Sequence, residues 1–220
     1  MAEETLRAGQ LIVIGGPMCG GKTPEFVQQI FKRRHQRRDL VIVTFAGSTR
    51  DYGEEGAIVS SQSGARILRS EVTHAFSETS LDEWWNKMVA LYSHSLDHMA
   101  SVLVGIEEAQ FFPDLLCHVD RLVTLGALVV VAGLTTNANG EKWGQVLDLQ
   151  SLSPEKWIQK NAICEHCHSV YGTMTARRLA NAGESLSIVK VGGKEAYGAL
   201  CRGCWAAREK YGFAGPKNLV

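Results

Sequence analysis

The feature that most constrains this chain is a glycine-rich stretch with a strand pattern before it and a helix pattern after it. Residues 16–23 read GPMCGGKT and fit the phosphate-loop pattern, GxxxxGK followed by Ser or Thr. Residues 10–15 form an apolar run typical of a buried strand, and residues 24–31 carry apolar side chains at helical spacing. Pro24 suits the first helical turn, where its missing N–H costs little. The stretch predicts a phosphate-binding loop; the alternative is a glycine-rich turn that matches by chance.

In such a loop, the backbone N–H groups and the positive end of the helix dipole point at a phosphate chain. We expect Lys22 to reach the β- and γ-phosphates and the Thr23 hydroxyl to ligate Mg²⁺. The residues predicted to hold the nucleotide phosphates and their metal are Gly16, Met18, Gly20, Gly21, Lys22 and Thr23.

Two acids follow a second apolar run. Residues 101–106 have the pattern of a buried strand and lead directly into Glu107 and Glu108. An apolar strand that ends in acids, downstream of a phosphate loop, is the Walker B arrangement. One carboxylate can hold Mg²⁺, and the next can orient or deprotonate a nucleophile. The alternative is a solvated pair of glutamates at a strand end.

Further apolar runs at 40–45 and 128–134 complete a set of four strands that alternate with helical patterns. The helical patterns cover residues 24–31, 81–99 and 113–124, while residues 53–80 have the weakest signal, with a short strand at 58–61. Continuously apolar strands that alternate with helices predict an α/β fold with a parallel sheet.

Two Cys-x-x-Cys pairs mark a change in composition near the C-terminus. Cys164 and Cys167 form the first pair, and Cys201 and Cys204 form the second. Four thiolates from two such turns make a closed tetrahedral Zn²⁺ site, which is structural rather than catalytic. Two local disulfides or a redox dithiol are the alternatives. We therefore expect a nucleotide-binding domain over residues 1–155 and a zinc-bearing domain with a C-terminal tail over residues 156–220.

Bulk composition narrows the functional classes. The chain has 220 residues and a formal net charge of +0, so no overall field favours nucleic acid or an anionic membrane. No apolar run approaches the ~20 residues of a membrane span. The polar N-terminus lacks the shape of a signal peptide. Cysteines in metal-type spacing favour a reducing compartment, and we expect an intracellular, cytoplasmic protein.

The order of these parts resembles the type II thymidine kinases, a family with a zinc-bearing lasso domain. The resemblance covers roughly residues 9–206. The motifs that carry it are Gly16-Pro17-Met18 with Gly21-Lys22-Thr23, Glu108-Ala109-Gln110-Phe111-Phe112, Ala132-Gly133-Leu134, both cysteine pairs, and Val191-Gly192-Gly193 through Tyr197 before Cys201-Arg202.

The resemblance implies a RecA-like parallel core and a small zinc domain whose lasso closes over a nucleoside. ATP would be the phosphate donor, and thymidine or a related deoxynucleoside the acceptor. Glu108 matches the family's general base, Glu107 takes the place of its Walker B acid, and Arg50 matches an arginine near the phosphates. The residues matched to the nucleoside site are Phe111, Leu134, Trp143, Thr175, Val191, Gly193 and Tyr197. The family is commonly tetrameric and is inhibited by the end-product triphosphate.

Several positions depart from the family pattern. Ser48 stands in place of an aspartate, Glu107 replaces an aspartate, and Ala138 replaces an aromatic residue in the loop after residue 134. Gly140-Glu141 replaces a basic pair. These departures keep a second hypothesis open: a nucleotide-binding or structural subunit of a larger assembly that has lost activity. A third hypothesis, a nucleic-acid-handling ATPase with a zinc ribbon, is disfavoured by the neutral charge.

Overall fold

The computed structural model describes residues 9–47, 56–61, 63–92, 96–178 and 195–214. The predictions for Ser48, Arg50, Val191 and Gly193 lie outside these residues.

Six strands form one parallel sheet, which confirms the predicted fold class. The strands in chain order are β1 (Gln10–Gly16), β2 (Asp39–Phe45), β3 (Ala57–Ser60), β4 (Arg66–Leu68), β5 (His74–Glu78), β6 (Val102–Ile106), β7 (Leu128–Leu134), β8 (Lys156–Gln159), β9 (Met174–Arg177) and β10 (Tyr197–Leu200). The main sheet has the order β5-β2-β6-β7-β1-β8. Because its strands are parallel, the carboxyl ends of β1, β2, β6 and β7 all lie at one edge, where open α/β sheets bind ligands.

Helices cover both faces of this sheet. The helices are α1 (Lys22–Arg33), α2 (Leu81–Leu91), α3 (Leu115–Thr124) and α4 (Arg202–Ala206). Alternate residues of β1 point to opposite faces: Ile12 packs in the same cluster as Phe26 of α1, and Val13 packs in the cluster that contains α2 and α3. Both clusters are buried, so the central strands read as continuous apolar runs.

Both cysteine pairs lie in a smaller region after the main sheet. Strands β9 and β10 form an antiparallel pair there, and Leu200 and Ala176 pack with Cys164 in a small core. Strand β8, which starts one residue after the expected domain boundary at 155, pairs with β1 in the main sheet.

The sequence predictions missed both edge strands of the main sheet and extended one helix too far. Strands β5 and β8 are edge strands with half-buried and exposed positions, so neither shows the continuous apolar run of a central strand. The predicted helix at 81–99 ends at Leu91, and a separate 3-10 helix covers Leu96–Ser101. Within the described residues, no helix is both long enough and apolar enough to span a membrane.

Candidate functional site

The glycine-rich stretch forms a loop between β1 and α1, as predicted. Gly21 is the N-cap of α1, with φ 74° in the left-handed region, and Pro24 lies in the first turn. The Lys22 ammonium group lies inside the loop, where Nζ donates to the Pro17 carbonyl at 2.7 Å. A cation and the start of a helix are thus joined at the same loop, which is the arrangement that attracts an anion.

Gly16 shows why the loop needs glycine where it leaves the strand. Its φ is 152°, and a Cβ atom there would lie 2.5 Å from the Lys160 carbonyl oxygen. A side chain would therefore clash with backbone. Cys19, at the exposed tip of the loop, takes a left-handed conformation, with φ 58°.

A buried hydrogen bond connects this loop to the end of β6. The Thr23 hydroxyl donates to Glu107 Oε1 at 2.7 Å, and both side chains are buried. The Glu107 backbone N–H donates to the Val43 carbonyl at 3.0 Å, so the acid stays in register with β2. The structure therefore brings together the hydroxyl and the carboxylate that the sequence predicts as magnesium ligands. These hard oxygen donors suit Mg²⁺.

The second acid is held by a neighbouring amide. Glu108 has φ 55°, a conformation that is uncommon for a residue with a side chain. Its Oε2 accepts a 2.6 Å hydrogen bond from Gln110 Nε2, while Gln110 Oε1 accepts from the Leu134 N–H at 2.9 Å. The backbone contact assigns the orientation of the Gln110 amide, and so the Gln110 NH₂ group faces Glu108.

Aromatic rings line the same edge of the sheet. Phe45, at the end of β2, stacks on Phe111 with a centroid distance of 4.6 Å. Trp143 contacts Phe111 edge-on, with a centroid distance of 5.2 Å. Two of the residues matched to the nucleoside site, Phe111 and Trp143, are therefore in contact.

The strand pair near the zinc-type cysteines reaches the phosphate loop. The Met18 N–H donates to Thr175 Oγ1 at 3.1 Å, and Thr175 is buried. Tyr197 lies on the paired strand β10, opposite Arg177, and is also buried. Arg177 shares a face of the ribbon with Tyr197, which lies opposite it, and with Thr175, which is two positions away on the same strand. Thr175 and Tyr197 therefore lie on the same face.

The loop after β7 contacts the same region. Gly140 has φ 79°, and a Cβ atom there would lie 3.0 Å from the Trp205 ring. Trp205 Nε1 donates to the Thr175 carbonyl at 3.0 Å. Glu141 closes a turn with Asn137, whose side-chain oxygen accepts from the Glu141 N–H at 3.0 Å. The left-handed backbone conformation of Gly140 and its close approach to Trp205 both favour glycine at this position.

The four paired cysteines come together, as predicted. The ligand atoms of Cys164, Cys167, Cys201 and Cys204 all lie within 4.8 Å of one another. Cys167 Sγ and Cys201 Sγ are 3.7 Å apart, and all six cysteines of the chain are free thiols within the described residues. A tetrahedron of sulfurs around Zn²⁺, with bonds of about 2.3 Å, has edges of about 3.8 Å. The cluster therefore has the donors and the spacing to bind zinc, and the disulfide alternative is not found.

The pKa shifts of the clustered thiols also agree with a site for a bound cation. Burial, together with hydrogen bonds to the neighbouring Cys201 and Cys167 thiols, raises the pKa of Cys204 to about 12. Burial also opposes ionisation of Cys164, but backbone N–H groups outweigh it and lower the pKa of Cys164 to about 6. The thiols thus resist simultaneous ionisation, whereas a bound Zn²⁺ would hold them as thiolates.

Two residues near the phosphate loop carried no sequence signal strong enough to assign. Gln110 belongs to the Glu108-Ala109-Gln110-Phe111-Phe112 motif, but only the structure shows that it contacts both Glu108 and Leu134. Lys160 lies 135 positions from its ion-pair partner Glu25, at 3.0 Å. No local pattern connects positions so far apart in sequence.

Comparison with known proteins agrees with this geometry. A family profile described as "Thymidine kinase" matches residues 9–205. A thymidine kinase of Bacteroides thetaiotaomicron is 30% identical over 92% of this chain and 90% of its own length. A thymidine kinase of Fowlpox virus is 29% identical over 91% of this chain and 98% of its own length. The cytosolic thymidine kinase of Gallus gallus is 26% identical, covering 90% of this chain and 77% of that protein. Because the profile spans most of the chain, this protein belongs to the thymidine kinase family.

Proposed function

We propose that this chain is an active kinase that transfers the γ-phosphate of ATP to the 5′-hydroxyl of thymidine. The observation that carries the proposal is that two adjacent acids at the end of β6 contact different partners, one suited to binding phosphate and metal and the other suited to a base. Glu107 is hydrogen-bonded to the phosphate-loop hydroxyl of Thr23, and Glu108 is oriented by Gln110. A phosphate site and a candidate base therefore share one edge of the sheet.

The proposed reaction uses these groups in distinct roles. Lys22 and the loop N–H groups bind the triphosphate, and Arg50 is assigned to the phosphates only by its match to the family motif. Thr23 and Glu107 would hold Mg²⁺, which would neutralise charge on the phosphates. Glu108 accepts the proton of the 5′-hydroxyl as that oxygen bonds to the γ-phosphorus, and ADP leaves with the electrons of the broken P–O bond. Catalysis is then mainly positioning and electrostatic stabilisation.

The nucleoside would lie between the aromatic wall and the β9–β10 ribbon. Phe111 and Trp143, which are in contact, would form one side of the site, and Thr175 and Tyr197, which share a face of the ribbon, would form the other. Leu134 is fixed by its hydrogen bond to Gln110. Val191 and Gly193 are assigned to this site only by their place in the family motif. These contacts support thymidine as the acceptor because an apolar wall and nearby backbone groups suit a flat base.

The proposal also includes a structural zinc ion and a boundary between two domains of the chain. The residues that would hold zinc are Cys164, Cys167, Cys201 and Cys204. Strand β8 joins the main sheet, so we place the start of the zinc-bearing unit after Gln159. We further propose that the chain functions as a homo-oligomer in the cytoplasm, which light scattering and cell fractionation would test.

The decisive experiment follows labelled phosphate from ATP to thymidine in the presence of Mg²⁺. We expect thymidine monophosphate from the wild-type protein, and about 10²- to 10⁴-fold less turnover from Glu108→Gln, with ATP binding retained. Glu71→Gln is the matched control, because Glu71 caps its own short helix through the Leu68 N–H. ATP binding by the wild type without any product would overturn the kinase proposal and favour an inactive nucleotide-binding subunit.

A further inference from the structure

Lys160 lies against the phosphate loop along most of its length. It follows β8, and its N–H donates to the Gly15 carbonyl at 2.8 Å. Its Cβ is 3.2 Å from the position of a Cβ on Gly16 and 3.6 Å from that of a Cβ on Gly20. Its Cε is 4.0 Å from the corresponding position at Gly21. The lysine side chain therefore runs beside the loop glycines towards the start of α1.

The lysine ends on an acid in the first turn of that helix. Lys160 Nζ lies 3.0 Å from Glu25 Oε2, and the two side chains are 29% and 16% exposed. The other oxygen of Glu25 accepts from Gln29 Nε2 at 2.7 Å, and the Glu25 N–H bonds to the Gly21 carbonyl. The carboxylate is thus held at the same helix end that the loop offers to phosphate.

The position of Glu25 creates an electrostatic conflict. A carboxylate in the first turn interacts favourably with the helix dipole, but it uses the same positive potential that would attract a triphosphate. Its charge is poorly screened because the side chain is mostly buried. Lys160 is the cation in direct contact with it. Lys156 also acts on Glu25, but only through its more distant charge.

We propose that Lys160 is an electrostatic positioning residue of the nucleotide site: it neutralises Glu25, so that the phosphate loop keeps its affinity for the triphosphate. The inference rests on the proposed function only in assuming that the loop binds ATP. It adds a second lysine, distinct from Lys22, that sets how tightly the site holds an anion.

The test measures ATP binding by calorimetry, without nucleoside, for a set of matched variants. We expect Lys160→Met to weaken ATP binding about tenfold, the scale on which one charge acts across about 10 Å of partly solvated protein. Lys160→Arg keeps the charge and should bind within about twofold of wild type. Lys156→Met removes a charge that acts on Glu25 only from a greater distance, so it should weaken ATP binding less than Lys160→Met does.

The double variant Glu25→Gln/Lys160→Met separates charge from packing. If Lys160 acts by neutralising Glu25, removing both charges restores affinity. Wild-type affinity in Lys160→Met, or a double variant as weak as the single one, would overturn the inference. Failure of the wild-type protein to bind ATP would instead refute the proposed function, and the inference with it.

Discussion

Thr23 and Glu107 are joined by a 2.7 Å hydrogen bond between side chains that are both buried. The bond links the first turn of α1, which follows β1, to the carboxyl end of β6. Strands β1 and β6 are separated in the sheet by β7. The bond couples the integrity of the phosphate loop to the acid proposed to hold magnesium.

Replacing Thr23 with Val should therefore affect stability and metal binding together. The variant keeps the shape of the side chain but removes a donor to a buried carboxylate, which costs about 1–3 kcal/mol of unfolding free energy. Urea unfolding should show this loss, and ATP binding should lose its dependence on Mg²⁺. Thr23→Ser keeps the hydroxyl and serves as the control. Wild-type stability and Mg²⁺ dependence in the Val variant would contradict the assignment.

Gln110 should control turnover through the orientation of Glu108. In Gln110→Glu the carbonyl-type oxygen can still accept from the Leu134 N–H, but the donor to Glu108 becomes a second carboxylate. Like charges in contact repel each other, so Glu108 should lose the orientation that the Gln110 amide gives it. We expect kcat at neutral pH to fall about 100-fold, with little change in the KM for ATP.

The matched control for this change is Gln145→Glu. Gln145 also uses its side-chain oxygen to accept from a backbone N–H, that of Leu116, at 2.8 Å. Its kcat should stay close to wild type. Equal losses of kcat in the two variants would show that the effect of Gln110 is structural.

One zinc ion per chain should be found by elemental mass spectrometry of the purified protein. Cys204→Ser should remove most of it, because the site needs four thiolates and the metal contributes on the order of ten kcal/mol to folding such a unit. Hydrogen exchange should then increase in β9 and β10, while β1 and β7 stay protected. Cys117→Ser is the control, since Cys117 is exposed on α3, outside the cluster. Full zinc content in Cys204→Ser would exclude the proposed ligand set.

The ionisation of Glu25 predicts in which direction the stability of the fold changes as the pH falls. Burial raises the pKa of Glu25, but hydrogen bonds from Gln29 and Lys160, with the charges of Lys160 and Lys156, bring it below 4.5. A carboxyl group with a lowered pKa stabilises the fold at pH values above its ordinary pKa. This contribution is lost as the pH falls through the lower pKa of the folded state. Lys160→Met should thus be less stable than wild type at pH 7, with a gap that narrows below about pH 4.5. A gap that is constant with pH in chemical unfolding would exclude this linkage.

Local sequence patterns determined the central strands, the phosphate loop and the four clustered cysteines. Each of these features depends on residues that are close together in sequence. Buried strands are continuously apolar, the loop has glycines before a lysine, and the thiols of each pair are three positions apart. The same patterns do not predict the edge strands β5 and β8, because a half-exposed strand lacks that continuity of apolar residues. Helix α2 was predicted too long because apolar residues recur after Leu91 without continuing the helix.

The tertiary structure alone decided which side chains meet at the site. Gln110 faces Glu108 because the end of β7 offers it the Leu134 N–H, and Thr175 reaches Met18 because the β9–β10 ribbon lies against the phosphate loop. Lys160 meets Glu25 only because β8 pairs beside β1. The amino-acid sequence specifies the residue types for each contact. Distances between segments far apart in the chain arise only when strand pairing and core packing bring those segments together.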